Sequence, residues 1–136
     1  MNIYTVNYIL SRLSFAMAAA LAIPLVLAIV GKEASREAFM LSVFVSIFFG
    51  IAFRRYGSPS DGLTPREGIA ITAFGWFTGT FLGMLPYLLG HYLGFLDALF
   101  ESISGFTGTG ATVFVTLDGV PYSILFWRMM TAWIGG

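Results

Sequence analysis

The sequence has no cysteine, a single histidine and few charges, and each shortage excludes a class of chemistry. Without cysteine there is no disulfide, no thiolate metal site and no cysteine nucleophile. His91 alone cannot build a histidine-rich metal centre. Charged residues make up 10% of the 136, against about 25% in soluble domains, and they sum to zero. A neutral chain offers no electrostatic footprint for nucleic acid. Disorder needs low hydrophobicity and high net charge, whereas 57% of these residues are hydrophobic. What remains is a protein of the lipid bilayer, provided that the apolar residues are contiguous.

The apolar residues do come in runs. A bilayer core about 30 Å thick needs about 20 residues of helix. Three runs cover Leu13–Val30, Ala38–Phe53 and Ile69–Leu93, and a fourth begins near Val120 and is still apolar at Gly136. The fold class is therefore an all-α membrane protein. Ala18-Ala19-Ala20 has the small residues of a cleavage site. The run continues to Val30, however, past the about 7–15 residues of a signal-peptide core, so it is read as a retained helix. Pro24 predicts a kink there, which membrane helices tolerate. The loop Arg54–Arg66 holds three arginines and one aspartate, and the loop Gly31–Glu37 holds Lys32 and Arg36. The positive-inside rule places Arg54–Arg66, and with it the N-terminus, in the cytoplasm.

The segment before the fourth run is the most informative. Asp97–Ser104 has helical character, with an apolar stripe at Leu96, Leu99, Phe100 and Ile103. Eight to ten residues reach only about 12–15 Å, half a bilayer. The Gly/Thr-rich stretch Thr107-Gly108-Thr109-Gly110 follows. This pattern predicts a re-entrant pore helix and an extended selectivity-filter loop. Non-helical backbone at membrane depth is tolerated where it lines a water-filled path. Its carbonyls can replace the water shell of a monovalent cation. Glycine permits positive φ, threonine adds a hydroxyl on a stiff side chain, and the C-terminal end of a helix favours a cation.

Other features have plainer readings. Gly75, Gly79 and Gly83 form a row on the third run that predicts close helix packing. Tyr87, Tyr92, Trp127 and Trp133 are expected at the membrane interface, and His91 beside them. Asp97 and Glu101 are either caps near the outer surface or cation attractors. Arg128 interrupts the fourth run, and a charge at that depth needs a partner. Glu101 is its first candidate and Asp97 its second; an exposed place at the outer rim is the alternative. Gly105–Thr112 has the glycine spacing of a nucleotide P-loop, but Ala111 stands where the lysine must be. A dinucleotide fingerprint would need glycine at Val113. No nucleophile–base pair or metal cluster is visible, so neither an enzyme nor an organic cofactor is expected. Two functions stay open: a cation-translocating subunit, and a non-transporting membrane scaffold held by the glycine row. The Thr/Gly loop favours the first, because a scaffold has no use for it.

The stretch Asp97-Ala98-Leu99-Phe100-Glu101-Ser102-Ile103-Ser104-Gly105-Phe106-Thr107-Gly108-Thr109-Gly110-Ala111-Thr112 resembles the first pore loop of the Trk/Ktr/HKT potassium-transporter superfamily, most like its TrkH branch. The stretch Leu125-Phe126-Trp127-Arg128-Met129-Met130-Thr131-Ala132-Trp133-Ile134-Gly135-Gly136 resembles the start of that branch's next membrane helix. The resemblance implies two leading helices and their cytoplasmic loop over 1–66. It implies the first helix–pore loop–helix repeat over 67–136, truncated in its second helix. It further implies potassium as transported substrate, with Thr107–Gly110 as filter backbone and potassium held at Thr109 and Gly110. Gly110 is the characteristic filter glycine, whereas the family often has threonine where this chain has Gly108, so larger residues are expected to be tolerated there. The remaining three repeats, a homodimer, a cytoplasmic nucleotide-binding regulatory subunit and an inner-membrane location are implied likewise. By that pattern the chain is an N-terminal fragment or a truncated product.

Overall fold

The computed structural model describes residues 2–60 and 62–136. Asp61, the aspartate of the arginine loop, lies outside the described residues. Five helices follow one another: α1 (Ile3–Val30), α2 (Arg36–Arg55), α3 (Pro65–Leu89), α4 (Phe95–Phe106) and α5 (Tyr122–Gly135). No strand occurs among the described residues. The first three helices are long and apolar enough to cross a membrane. With 12 residues, α4 reaches only about 18 Å.

Helix ends account for the differences from the apolar runs. The first helix starts well before Leu13, because Asn2 caps it by accepting the N–H of Tyr4 at 3.1 Å. It continues through Pro24 to Val30. A capping box starts α3 ahead of Ile69: Glu67 N–H donates to Thr64 Oγ1 at 3.4 Å, and Thr64 N–H donates to Glu67 Oε2 at 2.9 Å. Pro65 occupies the first helical position, where its missing donor costs nothing. The same helix stops at Gly90, short of Leu93, since the N–H groups of Tyr92 and Leu93 both turn back to the Tyr87 carbonyl.

The chain reverses at each turn, which brings alternate helix ends together. At one end, Asn2 N–H donates to Glu67 Oε1 at 2.7 Å and Ser58 N–H donates to Tyr4 O at 3.0 Å. At the other, the turn between α1 and α2 meets the start of α5. Along α1 and α2 the buried positions include Ser11, Ser14, Ala18, Ser42, Ser46 and Gly50. Such small residues let two helices approach closely.

Two expectations from the sequence are corrected here. Trp127 and Tyr87 are not interfacial; both are fully buried, packed in one core with Leu21, Phe39, Leu82 and Met84. Trp127 can be buried because its indole N–H donates to Gly83 O at 2.9 Å. The glycine row is close-packed at Gly83 alone. A Cβ at Gly83 would clash with the Phe106 ring and with Ser102 Oγ, whereas one at Gly79 would meet nothing within 4 Å. One at Gly75 would make an ordinary contact with Leu13 at 3.7 Å. Gly79 and Gly75 instead border an open groove walled by Leu13 and Met17 of α1, Phe106 of α4 and Ile134 of α5.

Candidate functional site

The short helix is amphipathic, starts at Gly94 with Asp97 in its first turn, and packs against both α3 and α5. Ser102 Oγ donates to Thr80 O at 2.8 Å, which fixes α4 on α3. Gly105 lies so close to Thr131 that a Cβ there would clash with its hydroxyl, which fixes α4 on α5. The polypeptide emerging from this clamp is Thr107–Gly110.

The loop turns back over the end of α4. Gly108 N–H donates to Gly105 O at 3.0 Å, Thr109 N–H to Ser104 O at 3.0 Å and Gly110 N–H to the same oxygen at 3.5 Å. Thr107 Oγ1 donates to Ile103 O at 2.8 Å and shares a bond with Thr109 Oγ1 at 2.8 Å. The amide donors are thus directed inward. Among the described residues, none of the four carbonyl oxygens from Thr107 to Gly110 accepts a hydrogen bond. All four residues are exposed. Gly108 has φ +69° and Gly110 φ +74°, the left-handed region where glycine is at ease. A Cβ at either would meet nothing within 4 Å, so backbone angle rather than crowding calls for glycine. The distinction drawn from family resemblance, a larger residue tolerated at Gly108, has no support in these angles.

The chain leaving the loop is tied down by one buried carboxylate. Glu101 accepts the hydroxyl of Thr112 at 2.9 Å, the N–H of Val113 at 3.1 Å and Nε of Arg128 at 2.5 Å. Its side chain is 1% exposed and that of Arg128 22%. Asp97, the second candidate partner for Arg128, makes no ion pair with it. Burying a carboxylate is costly unless it is paired and hydrogen-bonded, and here α5 and the chain after Gly110 supply the partners. Ser104 adds a further tie, Oγ to Ala111 O at 2.6 Å. A cavity of about 190 Å³ separates the loop from α5, bordered by Ser104, Gly110, Ala111 and Met129. Hydrogen bonds rather than packing therefore hold the loop on that side. Ser104, Thr112 and Val113 escaped the sequence reading. The signal available for them was the short spacing from Glu101, an acid that had to be buried on a half-helix.

Residues 35–136 match the model of a protein family, TrkH, described as a cation transport protein. The chain belongs to the TrkH family. An uncharacterized cation transporter of Methanocaldococcus jannaschii is 37% identical over 89 residues, which is 65% of this chain and 19% of that protein. The Trk system potassium uptake protein TrkH of Escherichia coli is 45% identical over 76 residues, 54% of this chain and 16% of that one. The crystal structure of the potassium transporter TrkH from Vibrio parahaemolyticus superposes with a TM-score of 0.92 at 30% identity, over 99% of this chain and 30% of that one. The chain thus spans less than a third of the length of each of these proteins. It is an all-α, multi-pass protein of the cell membrane.

Proposed function

We propose that this chain supplies the first of four filter loops in the ion-translocating subunit of a Trk-type potassium uptake system. The observation that carries the reading is the division of labour in Thr107–Gly110. The N–H groups bond back to α4, while the carbonyl oxygens are left without donors. Unpaired carbonyls at membrane depth need a replacement for water, and a dehydrated monovalent cation is one. In this reading Thr107, Gly108, Thr109 and Gly110 offer backbone oxygens to the ion, with potassium held at Thr109 and Gly110. Glu101, paired with Arg128, holds the chain that leaves the loop. Residues 1–66 are the two leading helices with their cytoplasmic loop, and 67–136 the first repeat. Lipid surrounds the chain, and the remaining repeats complete the ring of oxygens. A homodimer and a cytoplasmic nucleotide-binding regulator are the partners. The substrate moves without covalent chemistry, so no catalytic residue and no organic cofactor is assigned.

The test is Gly110→Ser in the full-length transporter that carries this segment. Left-handed backbone costs a residue with a Cβ roughly 1–2 kcal/mol, and nothing packs against the position to hold it. The backbone relaxes and the carbonyls move. Potassium, the larger ion and the one that sheds its water more readily, depends on their placement. The expected outcome is a loss of about tenfold in the rubidium-to-sodium flux ratio, with poor growth of an uptake-deficient host on limiting potassium. Unchanged flux and ratio, with the protein present in the membrane, would leave the scaffold role as the better reading.

A further inference from the structure

Helix α5 carries Arg128, yet it has no cap of its own. Its N-cap residue is Pro121, which makes no side-chain capping bond. The two amide donors at its start are taken by a residue far away in sequence. Glu33, on the turn between α1 and α2, accepts Tyr122 N–H on Oε1 at 3.1 Å and Ser123 N–H on Oε2 at 3.1 Å. It also accepts the Ser123 hydroxyl. Ser35 Oγ donates to the same carboxylate at 3.1 Å and lies 2.7 Å from Ser123 Oγ. Ser35 and Ser123 are both fully buried. A carboxylate at a helix N-terminus meets orphan donors and the positive end of the helix dipole together. Here that carboxylate comes from the leading helix pair.

A continuous line of bonds runs from this clasp to the loop. Glu33 fixes the start of α5, and Arg128 on α5 holds Glu101. Glu101 then holds Thr112 and Val113, which directly follow Gly110 and Ala111. We propose that Glu33 is a positioning residue for the filter loop, setting through α5 where Glu101 pins the chain that leaves Gly110. The leading pair α1–α2 is in this view part of the selectivity apparatus. The inference rests on the reading of Thr107–Gly110 as filter.

The experiment uses the full-length transporter and the rubidium-to-sodium flux ratio per inserted protein. Glu33→Ala is expected to lower the ratio about fivefold, the equilibrium weight of one lost cap. The double variant Glu33→Ala with Pro121→Asp gives α5 a local cap without the link to α1–α2. It is expected to recover the thermal midpoint in detergent while the ratio stays low. An unchanged ratio in Glu33→Ala overturns the inference, and so does a ratio restored by Pro121→Asp, which would reduce Glu33 to an ordinary helix cap. Should Glu33→Ala fail to reach the membrane, Glu33→Gln takes its place, with a lowered ratio supporting the inference and an unchanged one overturning it. Gly110→Ser runs alongside. A flat ratio there removes the filter reading and this inference with it. A lowered ratio there beside a flat one at Glu33 removes the inference alone.

Discussion

On α1 and α2 the buried hydroxyls of Ser14, Ser42 and Ser46 spend their hydrogen bonds within their own helix, whereas around α4 Ser102, Glu101 and Trp127 reach across to other elements. Ser14 donates to Leu10 O at 2.9 Å, Ser42 to Ala38 O at 2.7 Å and Ser46 to Ser42 O at 2.8 Å, each one turn back. By contrast, Ser102 bonds to α3, Trp127 of α5 bonds to α3, and Glu101 bonds to α5 and to the chain after the loop. The first region is two complete helices, whose backbone is satisfied internally and needs only small residues to approach. The second contains a helix that stops halfway and a chain that runs on without helical bonds. Glu101 and Ser104 bond to chain that has left the helix, where side chains must substitute for the missing ladder.

The largest expected effect lies at the cross-bonded centre. Removing one member of a buried ion pair costs about 3–5 kcal/mol, since the other is left uncompensated. Arg128→Ala should fall at the low end, because Arg128 is 22% exposed and Glu101 keeps Thr112 and Val113. Glu101→Ala should cost more, because it frees Thr112 and Val113 as well. On α2, Ser46→Ala removes a bond internal to one helix and should cost within about 1 kcal/mol. Thermal midpoints in detergent order the three. A double-mutant cycle on Arg128 and Glu101 that is additive within about 0.5 kcal/mol would mean that they do not interact. A Ser46→Ala loss equal to that of Glu101→Ala would erase the contrast between the regions.

A smaller effect, of opposite sign at two positions one turn apart, sharpens the contrast within α3. Gly83→Ala would place a Cβ against Ser102 Oγ at 2.8 Å and against the Phe106 ring, prising α4 from α3. Overpacking of this kind costs about 1–3 kcal/mol. Gly79→Ala meets nothing within 4 Å and replaces the poorest ordinary helix residue but proline with the best. It should stabilise the isolated segment by about 0.5–1 kcal/mol. Equal losses at both positions would restore a uniform packing row.

The half-helix was legible because its apolar stripe and its length are local properties of Asp97–Ser104, and because a Gly/Thr stretch follows it. The Arg128–Glu101 pair was legible as a demand, since an arginine inside an apolar run requires an acid and few acids are near. The clasp at α5 was not legible. Its partners lie 89 and 90 residues apart, and no period links a glutamate in one turn to the amides of a distant helix. The glycine row misled for a related reason. Spacing tells which residues share a face, but not what lies opposite. The same limit hid Trp127, whose burial depends on a carbonyl of α3 that accepts its N–H.

The smallest effect is complete near neutral pH and fades in acid. Burial, the strongest single influence on Glu33, raises its pKa, but the Ser123 hydroxyl, the Ser123 amide, the Ser35 hydroxyl and the Tyr122 amide together outweigh it. The folded value lies below the ordinary 4.5, because four donors face the charged form. A carboxylate whose pKa is depressed by folding contributes stability that is fully present above its unfolded value. That stability is lost as pH falls through the folded one. The clasp should therefore hold undiminished above pH 4.5 and weaken below it. The Ser123 and Ser35 hydroxyls then face a neutral acid that carries a proton of its own. Every exposed acid also titrates in this range, so the informative quantity is a difference. Thermal midpoints of wild type and Glu33→Gln, measured from neutral pH downward, should be separated on the plateau and converge in acid. A constant separation across the titration would mean that Glu33 holds α5 by hydrogen-bond geometry alone, with no contribution from its charge.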